Sequence, residues 1–103
     1  MSFILVYITN PSKKVAKDVA LHLLKKRLIA CANIFPIESM YWWKGKIEQT
    51  KEVVLIAKTR KENFNKVKNE VKKIHPYTVP CIIKLSAEAN KDYEDWLNKE
   101  MHL

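Results

Sequence analysis

A single turn signal, Lys44-Gly45-Lys46, separates the two longest β-rich runs of the chain, and that pairing constrains the fold most. Leu28 to Pro36 (LIACANIFP) and Tyr41-Trp42-Trp43 lead into the turn; Ile47 and then Glu52 to Thr59 (EVVLIAKT) lead out of it. Runs rich in β-branched and aromatic residues on either side of so short a reversal predict a long β-hairpin. Pro36 is expected at a bulge or bend, because a central-strand proline would lose a ladder hydrogen bond. Gly45 is the only glycine in 103 residues, where average usage would give roughly seven. Sites built on runs of glycine, such as dinucleotide fingerprints, P-loops and nucleophile elbows, are therefore excluded.

The flanks repeat one theme. Phe3 to Thr9 (FILVYIT) lacks polar alternation and reads as a strand buried on both faces. Asn10-Pro11-Ser12 stops it and opens a helix whose apolar residues, Val15, Val19, Leu23 and Leu24, recur at helical spacing. After the hairpin, Thr59-Arg60-Lys61-Glu62 has capping-box form, with Thr59 expected at the N-cap and Glu62 at N3. Phe64, Val67, Val71 and Ile74 mark the next buried stripe, which Pro76 must end. Pro80 to Ser86 (PCIIKLS) reads as a fourth strand, and Asn90 caps a last helix carrying Tyr93, Trp96, Leu97 and Met101. The order β-α-β-β-α-β-α predicts an α+β, ferredoxin-like βαββαβ sandwich over one domain, residues 1–103. Its antiparallel four-stranded sheet carries both main helices on one face, with an extra C-terminal helix. One short helix cannot cover the other face, so association with further copies is expected, with the ends of the hairpin strands pairing with neighbours.

The net charge of +8 comes from 17 lysines and only two arginines, Arg27 and Arg60. Lysine is a solvated point charge rather than a bidentate reader, so the excess suits attraction of anions or a neighbouring subunit as well as it suits nucleic acid. No run approaches the ~18 apolar residues of a membrane span. Cys31 and Cys81 are too few for a disulfide scaffold, and the strands that hold them fall at opposite edges of the predicted sheet. A cytoplasmic chain with reduced thiols is expected.

Tyr41 to Glu48 (YWWKGKIE), Glu52 to Thr59 and His75 to Pro80 (HPYTVP) resemble the CutA family of divalent-cation tolerance proteins. Leu28 to Ile34 (LIACANI) and the Tyr93-x-x-Trp96 pair agree, so the resemblance runs through the whole chain in order. It implies a tight homotrimer shaped like the PII signalling proteins, with hairpin strands joining sheets across subunits. It also implies a cytoplasmic protein, linked to copper and other divalent metals and without a catalytic reaction. Some bacterial members carry a cysteine in the first strand and two consecutive histidines before the Pro-Tyr, associated with copper. Here those positions hold Ile8 and Ile74-His75, and Cys81 stands where many members have glutamate.

His75, with Cys31, is the candidate ligand for Cu²⁺ or another weakly bound divalent ion. A histidine at a helix end also serves as a C-terminal cap, and a strand cysteine as a small core residue. Lys58, Glu48, Tyr77 and Tyr41 are the candidates for an intersubunit cleft, with Lys58 as anchor for a small anionic ligand. Structural pairing is the alternative for each. Tyr41 and Trp43 share one strand face and Trp42 takes the other, as intersubunit packing requires. A nucleic-acid partner is not expected, because the sheet lacks the aromatic pair with adjacent glycines that reads RNA on this fold. Acylphosphatase-like hydrolysis, the enzyme alternative on this fold, is not expected either: Asn10-Pro11-Ser12 has no arginine near it to cradle a phosphate.

Overall fold

A computed structural model describes residues 3–101 of the chain, so the first two and last two residues of the predicted domain lie outside the described residues. The elements are β1 (Phe3–Asn10), α1 (Lys13–Lys25), β2 (Cys31–Trp43), β3 (Lys46–Arg60), a 3₁₀ turn (Lys61–Asn63), α2 (Phe64–Ile74), β4 (Ile82–Ala87) and α3 (Lys91–Met101). The four strands form one antiparallel sheet in the order β2-β3-β1-β4. This is the ferredoxin-like arrangement.

Period-two alternation sorts the side chains. Ile4, Val6 and Ile8 of β1 and Leu55 and Ala57 of β3 face α1 and α2, where they meet Val19, Ala20, Leu23, Val67 and Val71 in the main core. Phe3 and Leu5 point the other way, towards Leu97, Met101 and Tyr93 of α3. The last helix thus covers one end of the second face. The remainder of that face is open, with Phe35, Tyr41, Trp43, Ile83 and Leu85 exposed.

The long hairpin is present, but its first strand starts at Cys31 rather than Leu28; β2 then runs unbroken to Trp43 and pairs with β3 residue for residue as far as Trp43 and Lys46. Lys44 (φ 49°) and Gly45 (φ 78°) both adopt positive φ, the geometry of a type I′ turn. Pro36 sits opposite Val53 without a bulge, which corrects the sequence expectation. In a two-residue hairpin the closing Trp43–Lys46 pair is hydrogen-bonded and alternate pairs follow suit, so Pro36 falls at a non-hydrogen-bonded pair. Its missing N–H faces away from β3, on the edge of the sheet, where proline costs no ladder bond.

Ser12 caps α1 as expected, its hydroxyl accepting from the Val15 N–H at 3.2 Å. Thr59 does not cap α2. It lies within β3, fully buried, and its hydroxyl donates to the Leu28 carbonyl at 2.7 Å, tying the start of the hairpin to its end. A 3₁₀ turn then leads into the helix with no side-chain cap at Arg60. At α3 the Asn90 carbonyl accepts from Tyr93 and Glu94, while the Glu94 carboxylate takes the Ala89 N–H at 3.2 Å.

Charge follows this layering. Lys13–Arg27 and Arg60–Lys73, the segments of α1 and α2, hold twelve basic and three acidic side chains. The excess positive charge of the chain therefore lies on the helical layer, away from the open sheet face.

Candidate functional site

Beyond the end of β1 the hairpin continues alone, and the segment between α2 and β4 crosses over it. Together they form a cleft of about 950 Å³. Tyr7 and Thr9 of β1, Ile37, Ser39, Tyr41 and Trp43 of β2, Glu48 and Glu52 of β3, and Pro76 to Val79 line it, with Cys81 just before β4. Glu38 and Met40 also reach it from the β2 edge. No lysine or arginine does.

The crossing segment is fastened by a chain of polar contacts. Asn10 is buried at the end of β1, its amide donating to the Ile8 and Val53 carbonyls at 3.2 and 3.1 Å. Its Oδ1 is then free to face His75 Nε2 at 3.2 Å, which also lies 2.9 Å from the Thr9 carbonyl. The Tyr77 N–H donates to His75 Nδ1 at 3.2 Å. An accepting Nδ1 places the imidazole proton on Nε2, donating to Thr9, so the ring is neutral with both nitrogens engaged. His75 is 8% exposed. Burial lowers its pKa, more than the Thr9 carbonyl and the Glu52 charge raise it. The ring of Tyr77 stacks edge-on against it, with centroids 4.8 Å apart.

Tyr77 carries the chain onward to Glu52, where its hydroxyl donates to Oε2 at 2.6 Å. Burial, then the bond and charge of Glu52, push the phenol well above the usual tyrosine range. Glu52 is only 7% exposed. Its Oε1 takes part in no hydrogen bond and its carboxylate in no ion pair among the described residues.

The structure brings together Tyr41, Glu48 and Tyr77 in this cleft, and Tyr41 pairs directly with Glu48 in the strand register. It leaves Lys58 out: ten residues along β3 from Glu48, the lysine is roughly 33 Å away. Lys58 instead pairs across strands with Cys31 and sits 5.3 Å above the Tyr93 ring, under α3. The Tyr93 hydroxyl is buried there without a hydrogen-bond partner. Burial first and the Cys31 thiol second raise its pKa, with Lys58 pulling the other way.

His75 and Cys31 likewise stand apart within the protomer. Thr9, which His75 bonds, is level with Val54, whereas Cys31 is level with Lys58. That is about 13 Å along the strands, and two strand spacings of about 4.8 Å separate β1 from β2. No group of three or more His, Cys, Asp or Glu able to hold a metal occurs among the described residues. Within one chain the two candidate ligands do not form a metal site. Tyr7 and Trp43 were not among the cleft residues expected from sequence. The shared face of Tyr41 and Trp43 was the available signal for Trp43, whereas Tyr7 depends on contacts between distant strands.

No helix is long and apolar enough to cross a membrane among the described residues. Comparison with known proteins adds a family. Residues 4–100 match the model of the CutA1 divalent ion tolerance protein. The chain is 48% identical over 95 residues to the divalent-cation tolerance protein CutA of Archaeoglobus fulgidus, covering 91% of this chain and 93% of that one. It is 47% identical over 98 residues to the same protein of Pyrococcus horikoshii, covering 94% and 96%. Among solved structures, a CutA from Archaeoglobus fulgidus, described as periplasmic, superposes with a TM-score of 0.94 at 46% identity, covering 97% of this chain and 99% of that one. The CutA1 of Oryza sativa gives 0.93 at 39% identity, covering 97% and 94%. Sequence, sheet order and superposition agree, and the chain belongs to the CutA1 divalent ion tolerance family.

Proposed function

We propose that the protein acts as a homotrimer in divalent-cation tolerance, holding Cu²⁺ or a related ion weakly and catalysing no reaction of its own. Family membership over nearly the whole chain carries this reading. The trimer is supported by the open sheet face, where Phe35, Tyr41, Trp43, Ile83 and Leu85 leave an apolar surface larger than one short helix covers. Weak binding follows from the state of His75, which must give up Thr9 or Tyr77 to offer a ring nitrogen to a metal. Cys31, half-buried and unbridged, would add a thiolate from elsewhere in the assembly. Free thiols at Cys31 and Cys81 support a reducing, cytoplasmic setting.

The cleft argues against a small anionic ligand, since three carboxylates and no basic side chain line it. Calorimetry with Cu²⁺ on the wild type, His75→Ala and Cys31→Ser, with light scattering for mass, tests the reading. Weak binding lost in His75→Ala by a particle of three chains is the expected result. A monomer, or identical copper binding in all three proteins, would overturn the trimer or the ligand assignment respectively.

A further inference from the structure

The layer formed by α1 and α2 holds positive charge that nothing on it neutralises. Its three carboxylates, Asp18, Glu62 and Glu70, are each already paired with a basic neighbour on the same layer. Of its twelve basic side chains, Lys14, Lys26, Lys73 and both arginines make ion pairs, which leaves seven lysines with none among the described residues. The layer lies on the opposite side of the sheet from the open apolar face, so association through that face leaves it uncovered.

Where the end of α1 meets α2 the layer has a groove of about 450 Å³, lined by Lys26, Leu28, Lys66, Asn69, Glu70 and Lys73. Glu70 is the part-buried member, its side chain 15% exposed. Lys73 lies 2.9 Å from one of its oxygens, and His22 at 2.9 Å and Lys26 at 3.5 Å share the other. One carboxylate thus holds two ammonium groups beside the groove, and Lys66 adds a third that has no partner. Like charges gathered in this way repel, and an anion laid among them relieves the repulsion.

The surroundings select the kind of anion. A single phosphate meets only the lysines of the groove, whereas unpaired lysines continue beyond it on both helices, Lys25 and Lys72 among them, so the anion is extended. Both arginines are engaged, Arg27 with Glu100 and Arg60 with Glu62. The one aromatic ring on the layer, Phe64, lies near the ammonium groups of Lys68 and Lys84, at 5.8 and 5.2 Å. Bidentate contacts and base stacking are therefore not on offer to a nucleic acid. Packed helices lie about 8–10 Å apart, so the groove between them takes one phosphate chain rather than a duplex. Leu21 and Ile74 are the large apolar side chains that α1 and α2 expose, too few to anchor the layer in lipid.

We infer that the α1–α2 layer binds linear inorganic polyphosphate, seated in the groove at Lys26, Lys66 and Lys73 and continued by the unpaired lysines of both helices. Asn69 offers an amide donor at the same seat. The inference is independent of copper binding at His75 or Cys31, because neither residue lines the groove.

Calorimetric titration of the full chain in its native assembly with long-chain polyphosphate tests it. Saturable binding is expected at about 50 mM salt, weakened about tenfold or more at about 200 mM as counterion release loses its advantage. The double variant Lys26→Gln/Lys66→Gln should weaken it about tenfold, while Lys91→Gln/Lys99→Gln, which removes the same charge from exposed positions on α3, should change it less than about twofold. Orthophosphate at the same total phosphate should not displace it. Absence of saturable binding overturns the inference, and so does binding that ignores salt. Equal weakening by the α3 variant would reduce the effect to net charge and overturn it as well. Displacement by orthophosphate would make this a site for a single phosphate instead. Equal or tighter binding, charge for charge, of duplex DNA, polyglutamate or phosphatidylserine vesicles would overturn the assignment to polyphosphate.

Discussion

The Tyr77 hydroxyl donates to Glu52 across 2.6 Å, joining the segment after α2 to the middle of β3. Through His75 and Asn10 the same segment is tied to the end of β1, so one short run of polar contacts sets the inner wall of the cleft.

Tyr77→Phe should therefore destabilise the fold by about 1–3 kcal/mol, the range for losing a hydrogen bond to a charged, buried acceptor. Urea denaturation read by circular dichroism would measure it. In the Glu52→Gln background the same substitution should cost less, because the acceptor is then neutral; equal costs would show that the two residues are not coupled.

Acid should weaken the protein in two stages. Burial holds the His75 imidazole below its ordinary 6.5, so the unfolded chain takes up that proton first. The stability contributed by neutral His75 is full above that value and is lost as pH falls from there towards the lower folded value. Glu70, bonded to Lys73 and His22, is lowered from 4.5 to about 2, so its contribution is full above 4.5 and fades from there towards pH 2. Melting temperatures between pH 8 and pH 3 should show both stages, and His75→Gln should flatten only the upper one.

Gly45→Ala should cost about 1 kcal/mol, from placing a Cβ at positive φ. Nothing lies within 4 Å of the added methyl, so the whole effect is conformational. Thermal unfolding would record it, and a loss several times larger would mean that the turn makes contacts beyond the protomer.

Leu55 is fully buried between β1, β2 and the helices, and Leu55→Ala should cost about 2–5 kcal/mol through lost contacts and a cavity. Leu85→Asp, on the open sheet face, should leave the protomer's core intact yet shift light-scattering mass from three chains towards one. An unchanged mass would place the interface elsewhere.

Much of the fold was legible because strand period, helix period and caps reinforced one another. Ser12 was read correctly since its neighbours Pro11 and Val15 pointed the same way. Thr59 misled because its hydroxyl had a better partner, the Leu28 carbonyl 31 residues away, which no local pattern announces. Pro36 misled for a related reason: its position at a non-hydrogen-bonded pair depends on counting from the turn, and its edge position depends on sheet order. Of the cleft, Tyr41, Glu48 and Tyr77 were found, but their supposed anchor Lys58 lies near the far end of β3. The Tyr77–Glu52 bond spans 25 residues and becomes visible only when the chain folds.

Pro36 has one more effect. With its ring on the outer rim of β2, the free edge is not a uniform ladder but one with a missing rung, flanked on the same side by Ile34 and Glu38. A strand arriving from another molecule can satisfy that edge only in alignments that set no carbonyl against the gap. The proline thus acts as an index mark, favouring one docked register and discouraging the open-ended stacking that a smooth β edge invites.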